Sequence, residues 1–205
     1  MIRIKFCGIT RPEDAATGAQ LGAWALGFVF ASESPRRISP ENAAAIISGL
    51  PDSAPKTVGV FMDQPVEEIL SAVQISGVDF IQLHGAEPLE LCEKLGSRRC
   101  IRSVTSYRED LLCHPANYLL FDRLRTAEGT EGPAADWEAA KMLAARHANV
   151  LLAGGLTADN VEAVVKRVRP WGVDVSSSVE SAPGIKDAQR MTAFHDAVRR
   201  AEETL

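Results

Sequence analysis

Eight times along this chain a short apolar run gives way to a small turn and then to a longer amphipathic run, and no other pattern in the sequence narrows the fold as far. The apolar runs lie near Ile2 to Phe6, Trp24 to Phe30, Lys56 to Met62, Val78 to Leu83, Cys100 to Val104, Tyr118 to Phe121, Val150 to Leu152 and Trp171 to Val175. The amphipathic runs begin near Arg11, Pro40, Pro65, Glu87, Tyr107, Asp136, Ala158 and Lys186, where Pro, Asp, Glu or Thr opens a helix. Strand and helix in strict alternation predict a parallel sheet with helical crossovers. Eight such units in 205 residues predict an α/β chain folded as one (β/α)8 barrel, near the lower end of that architecture's size, with residues 1–205 as a single domain. A doubly wound open sheet is the alternative. The fifth helix is the least supported, because "SYREDLLCHP" leaves roughly two turns before Pro115.

Composition enters by exclusion. A net charge of -5 leaves little for a nucleic-acid surface, which needs clustered Lys and Arg on one face, so any anionic ligand is held locally. The longest apolar run, "GAWALGFVFA", is too short to span a bilayer, and no charged and apolar leader precedes the first strand. The expectation is therefore a cytosolic protein with no membrane partner. Cys7, Cys92, Cys100 and Cys113 form no C-x-x-C pair, and His84, His114, His147 and His195 form no H-x-x-x-H pair. Free thiols and no metal or other cofactor are expected. Periodicity does not separate a dimer patch from core, so monomer and homodimer stay open.

In a barrel of this class the active site lies at the carboxyl ends of the strands, which gives polar residues there a functional meaning. Those ends read Cys7, "SPRR", Asp63, "QLHG", "FD", "LAGG" and "DVSSS". In "IRIKFC", alternation puts Ile2, Ile4 and Phe6 toward the helices and Arg3, Lys5 and Cys7 toward the lumen. Lys5 then lies roughly 7 Å from Cys7 along the strand, and its charge favours thiolate over thiol. Because strand eight closes on strand one, Asp174 is the predicted partner of Lys5. Asp122 shares the inner face of "NYLLFD" with Tyr118 and Leu120, where a carboxyl can act as a general acid or serve a loop as a cap or ion pair. Arg36 and Arg37 face the same mouth and suit a carboxylate, or are simply solvated. His84 lines the site or bonds a loop backbone. Gly154 and Gly155 precede a helix with Thr157 as candidate N-cap, and Ser176 and Ser177 follow the next strand. Alone the glycines are a tight turn; with the serines they predict a phosphate site between loops seven and eight. "RLRTAEGTEGPAAD", after the sixth strand, reads as a binding loop or an inert insertion.

Taken in order, "KFCGIT", "LGFVF", "SPRRISP", "VGVFMD", "IQLHG", "LLFD", "LAGGL" with "DNV", and "VDVSSSVE" with "PGIKD" resemble the phosphoribosylanthranilate isomerase family from the first residues to about Asp187. The resemblance implies a cofactor-independent Amadori rearrangement of phosphoribosylanthranilate to the 1-deoxyribulose 5-phosphate derivative, a step of tryptophan biosynthesis. It implies Asp122 as the acid that opens the ring and Cys7 as the base that removes the C2 proton. It places the anthranilate carboxylate on Arg36 and the phosphate on Gly154, Gly155, Ser176 and Ser177, with His84 and Asp174 counted among the substrate-binding residues. Ser178 stands where the family pattern has glycine, and the loop after Asp122 keeps Asp136 and Trp137 but loses glycine and Phe positions. Two other functions stay open here. One is a non-catalytic barrel that binds a sugar phosphate; the other is an isomerase of a related aminoaldose phosphate, against which Cys7 in place of a carboxylate argues.

Overall fold

The computed structural model describes residues 1–51, 53–123 and 135–205. Eight parallel strands close on themselves in chain order, β1 (Arg3–Cys7), β2 (Ala25–Val29), β3 (Lys56–Phe61), β4 (Phe80–Leu83), β5 (Cys100–Val104), β6 (Tyr118–Phe121), β7 (Val150–Leu152) and β8 (Gly172–Val175), with β8 paired back to β1. Around them run α1 (Pro12–Gln20), α2 (Pro40–Ser48), α3 (Val66–Ser76), α4 (Leu89–Leu95), α5 (Trp137–Ala144), α6 (Val161–Val168) and α7 (Ala188–Glu202). The closed barrel is the predicted fold, and the open sheet is excluded by the β1–β8 pairing. Among the described residues no helix is long and apolar enough to cross a membrane.

The period-2 alternation of each strand sorts side chains into two cores. Ile4, Phe6, Leu26, Phe28, Leu119, Phe121 and Val173 face outward into the helix layer, while Ala25, Val29, Val58, Val60, Ile101, Leu120 and Leu151 fill the lumen. The floor of the lumen is aromatic: Trp24, Phe80, Tyr118 and Trp171 stack with ring centroids 4.8 to 5.7 Å apart, and the Arg3 guanidinium lies 4.4 Å from the Trp171 centroid. With the floor filled by rings, polar side chains collect at the other end.

Two segments depart from the sequence reading. Between β5 and β6 there is no α-helix; Glu109–Cys113 is a single 3₁₀ stretch. Pro115 lacks an N–H and pushes the residue before it out of helical space, so the segment ends before a second α-turn closes. After β8 the chain makes a 3₁₀ turn (Ser177–Val179) and then a two-stranded hairpin, Glu180–Ala182 against Ile185–Lys186, before α7 starts at Ala188 behind its cap Asp187. The eighth helix therefore begins two residues later than Lys186.

Candidate active site

Cys7 ends β1 inside the mouth, buried but within reach of the opening. Beneath it Lys5, with no exposed side-chain surface, donates to Asp174 Oδ1 at 2.9 Å across the β1–β8 seam, as closure of the barrel predicts. Burial alone would lower the Lys5 pKa, but Asp174 and then Cys7 more than offset it, and the ammonium is held above its ordinary value. Cys7 is pulled both ways: burial pushes the thiol up, Lys5 draws it down, and burial prevails. A residue that sequence reading passed over makes this arrangement possible. A Cβ on Gly27, opposite Cys7 on β2, would stand 2.8 Å from Cys7 Sγ and 3.1 Å from Lys5 Nζ. The signal was there, since glycine inside the strand "ALGFV" marks a close approach.

Asp122 follows β6 on the same inner face as Leu120. Its Oδ1 accepts from the Arg123 N–H at 2.8 Å, and its Oδ2 lies 3.3 Å from His84 Nε2. His84 is held from behind. Gln82 Nε2 lies 2.9 Å from His84 Nδ1, and Ser103 Oγ lies 2.7 Å from the same nitrogen. Asp174 is close enough to Asp122 to sense its charge, and burial with that charge raises the Asp174 pKa against the pull of Lys5.

Loop seven presses against the acid. Gly154 and Gly155 both adopt left-handed backbone (φ 87° and 83°), and a Cβ at Gly154 would stand 2.8 Å from Asp122 Oδ1. The backbone N–H groups of such a turn ahead of a helix can cradle an anion. The helix that follows starts later than expected: Thr157 and Asn160 cap each other, Thr157 N–H to Asn160 Oδ1 at 2.9 Å and Asn160 N–H to Thr157 Oγ1 at 3.3 Å, and α6 begins at Val161. In loop eight, Ser176 Oγ donates to the Cys7 carbonyl at 3.0 Å and Ser177 opens the 3₁₀ turn. Ser178 is not in the left-handed region, and its hydroxyl donates to the Leu156 carbonyl at 2.6 Å. The side chain in place of glycine thus ties loop eight to loop seven. A residue missed in the sequence is Arg123, whose Nη1 lies 3.5 Å from where a Gly155 Cβ would be.

Of the arginine pair only Arg36 turns into the mouth, where it meets Glu180 through three hydrogen bonds. Arg37 lines the groove between α2 and α3 instead. Asp63 does not face the mouth either; its carboxylate accepts from the Ala86 N–H at 2.6 Å in a loop that Glu87 and Arg102 brace. Of "RLRTAEGTEGPAAD", residues 124–134 lie outside the described residues, while Asp136 caps α5 by accepting from Glu138 and Ala139.

The chain's likeness to known proteins runs over its full length. The family model described as "N-(5'phosphoribosyl)anthranilate (PRA) isomerase" matches residues 4–197. A phosphoribosylanthranilate isomerase of Pelobacter propionicus is 42% identical over 209 residues, which cover 100% of this chain and 97% of the relative. The crystal structure of the enzyme from Thermus thermophilus superposes with a TM-score of 0.87 at 40% identity over 97% of this chain and 99% of its own. A second solved phosphoribosylanthranilate isomerase, in complex with reduced 1-(o-carboxyphenylamino)-1-deoxyribulose 5-phosphate, superposes with a TM-score of 0.85 at 37% identity over 98% of this chain and 100% of its own.

Proposed function

The chain belongs to the phosphoribosylanthranilate isomerase family, and on that premise we propose that it converts N-(5'-phosphoribosyl)anthranilate to 1-(2-carboxyphenylamino)-1-deoxyribulose 5-phosphate with Asp122 as general acid and Cys7 as general base. The observation that carries the assignment is the placement of a thiol over a buried ammonium at the end of β1 and a carboxyl 3.3 Å from a histidine nitrogen at the end of β6, both in one mouth.

In the first step Asp122 gives its proton to the furanose ring oxygen as the C1–O bond breaks, and the nitrogen lone pair forms C1=N. The acid is left as carboxylate. Cys7, as thiolate, takes the C2 proton; the C–H electrons form C1=C2 and the C=N pair returns to nitrogen, giving an enolamine. Transfer of a proton to C1 and loss of the enol proton give the ketone. Protons balance and no electrons leave, so acid and base alone suffice for this isomerisation. Substrate is held at both ends, the phosphate by the backbone at Gly154 and Gly155 with Ser176 and Ser177, the anthranilate carboxylate by Arg36. His84 steadies Asp122, and Asp174 holds Lys5 beneath the thiol.

The test of the activity is the loss of phosphoribosylanthranilate fluorescence on adding purified protein in chelator-treated buffer without added cofactor. Turnover is expected. Failure to turn over, with the reduced product analogue still bound, would make the chain a binding barrel.

Lys5 has its own test. In a Cys113→Ser background, alkylation of Cys7 by iodoacetamide follows the thiolate fraction. Burial raises the Cys7 pKa and Lys5 opposes it, so Lys5→Met should move the alkylation midpoint to higher pH. Each unit of that shift is about a tenfold loss of thiolate at neutral pH. The same direction is expected with Asp174→Asn added, because Lys5 acts more strongly on the thiol than Asp174 does. An unchanged midpoint would remove Lys5 from this role.

A further inference from the structure

The hairpin after β8 brings together two buried charges that the reaction steps do not use. Register sets Lys186 opposite Glu180, and a turn at Gly184 (φ 79°) closes the pair. Glu180 accepts from Arg36 Nε at 2.9 and 3.1 Å, from Arg36 Nη2 at 2.8 Å, and from Lys186 Nζ at 2.7 Å. Lys186 Nζ also donates to the Ser176 carbonyl at 3.2 Å, and Ser176 Oγ holds the Cys7 carbonyl. One buried carboxylate therefore anchors the arginine of loop two, and one buried ammonium joins that anchor to the loop-eight serine and, through it, to the strand end that carries the thiol.

We propose that Glu180 and Lys186 are positioning residues that fix the direction of the Arg36 fork and so make the site selective for an arylamine bearing a carboxylate. The proposal rests on the reading of Arg36 given above. Its physical basis is geometry and charge together. Arg36 has a long flexible stem, and an unanchored guanidinium loses rotamer freedom each time it grips a ligand. Glu180 removes that freedom in advance by taking the Nε edge, which sets where the terminal nitrogens point. Gly8 leaves room for the stem, since a Cβ there would stand 2.6 Å from Arg36 Cδ. A lone Glu180 would cancel the charge of Arg36 and leave a neutral pair, poorly suited to an anion. Lys186 restores one net positive charge to the cluster while staying fully covered itself. Burial lowers the Lys186 pKa and Glu180 opposes it, which is the cost at which the second cation is kept.

The experiment compares two competitive inhibitors, the reduced carboxyphenylamino product analogue and the same compound without its carboxyl group, against wild type, Glu180→Gln, Arg36→Met and the double variant. Glu180→Gln, in which loss of the fork's anchor outweighs the extra positive charge left on the cluster, should weaken the carboxylated compound by about tenfold while leaving the phenyl compound within about twofold, and it should add nothing in the Arg36→Met background. Equal weakening of both compounds, or a full further loss on top of Arg36→Met, would show a general structural role and overturn the proposal. If Arg36→Met itself does not distinguish the two compounds, the reading of Arg36 fails and the proposal fails with it, a result separable from the first because it appears in the single variant. Should Glu180→Gln not fold, Glu180→Gln with Lys186→Met, which removes both charges, is read the same way.

Discussion

Cys7→Ser is expected to lower kcat by about 10² to 10⁴, the range a positioned acid or base supplies, while the reduced product analogue still binds within a few-fold of wild type. The substitution is small and leaves the groups proposed to hold the substrate untouched: Ser176 still reaches the backbone carbonyl of residue 7, and Arg36 still meets Glu180. What changes is basicity in place. A hydroxyl at that position has Lys5 beneath it as the thiol does, but it ionises at far higher pH, so the ammonium cannot bring a useful fraction to alkoxide. Even the thiol is not an easy base here. Burial holds its pKa up, so the resting protein carries mostly thiol, and the thiolate that acts as base is a minor form. A serine turnover within tenfold of wild type, measured by loss of substrate fluorescence, would take Cys7 out of the role of base.

The barrel was legible because its evidence is repeated eight times and each strand states its own inward face. The same logic reached across the closure. Once β8 is known to return to β1, an inward lysine and an inward aspartate at equal height have to meet, and Lys5 does bond Asp174 at 2.9 Å. Legibility failed where structure rests on few residues or on none of the usual period. The hairpin strands Glu180–Ala182 and Ile185–Lys186 are too short to show alternation, so "SSVESAPGI" reads as loop, Lys186 reads as the start of the last helix, and the meeting of Glu180 with Lys186 and Arg36 is invisible. Trp24 and Trp171 open two of the predicted strands, where alternation sets them with Leu26, Phe28 and Val173 toward the helices; both instead stand one residue before their strands begin, and their rings fold in to floor the lumen. Arg36 and Arg37 are adjacent and chemically equal in the sequence. Only the bridge of Val29 with Arg37 and the carboxylate waiting for Arg36 send them to opposite places. Gly27 and Gly154 were legible in principle, as glycines at sites of close approach, but what approaches them, a thiol and a carboxylate, is fixed by the neighbouring strand.

Asp122→Asn should also lose about 10² to 10⁴ in kcat, and the more telling result is how it loses it. The amide is nearly isosteric and its one oxygen can still accept from the Arg123 N–H, while its NH2 takes the place of the oxygen that faces His84 Nε2; what it cannot do is give a proton to the ring oxygen. Ring opening then becomes the slow step and C2 deprotonation, which follows it, becomes fast by comparison. Cys7→Ser shifts the balance the other way, leaving ring opening intact and making proton removal from C2 slow. Substrate deuterated at C2 separates the two. The isotope effect on kcat should persist or grow in Cys7→Ser and collapse toward unity in Asp122→Asn. Should the effect be retained in Asp122→Asn, the slow step would still be proton removal and the carboxyl at the end of β6 would not be the acid that opens the ring. Equal effects in both variants would mean that the two groups act on one step, and the order of chemistry assigned to this mouth would have to be abandoned.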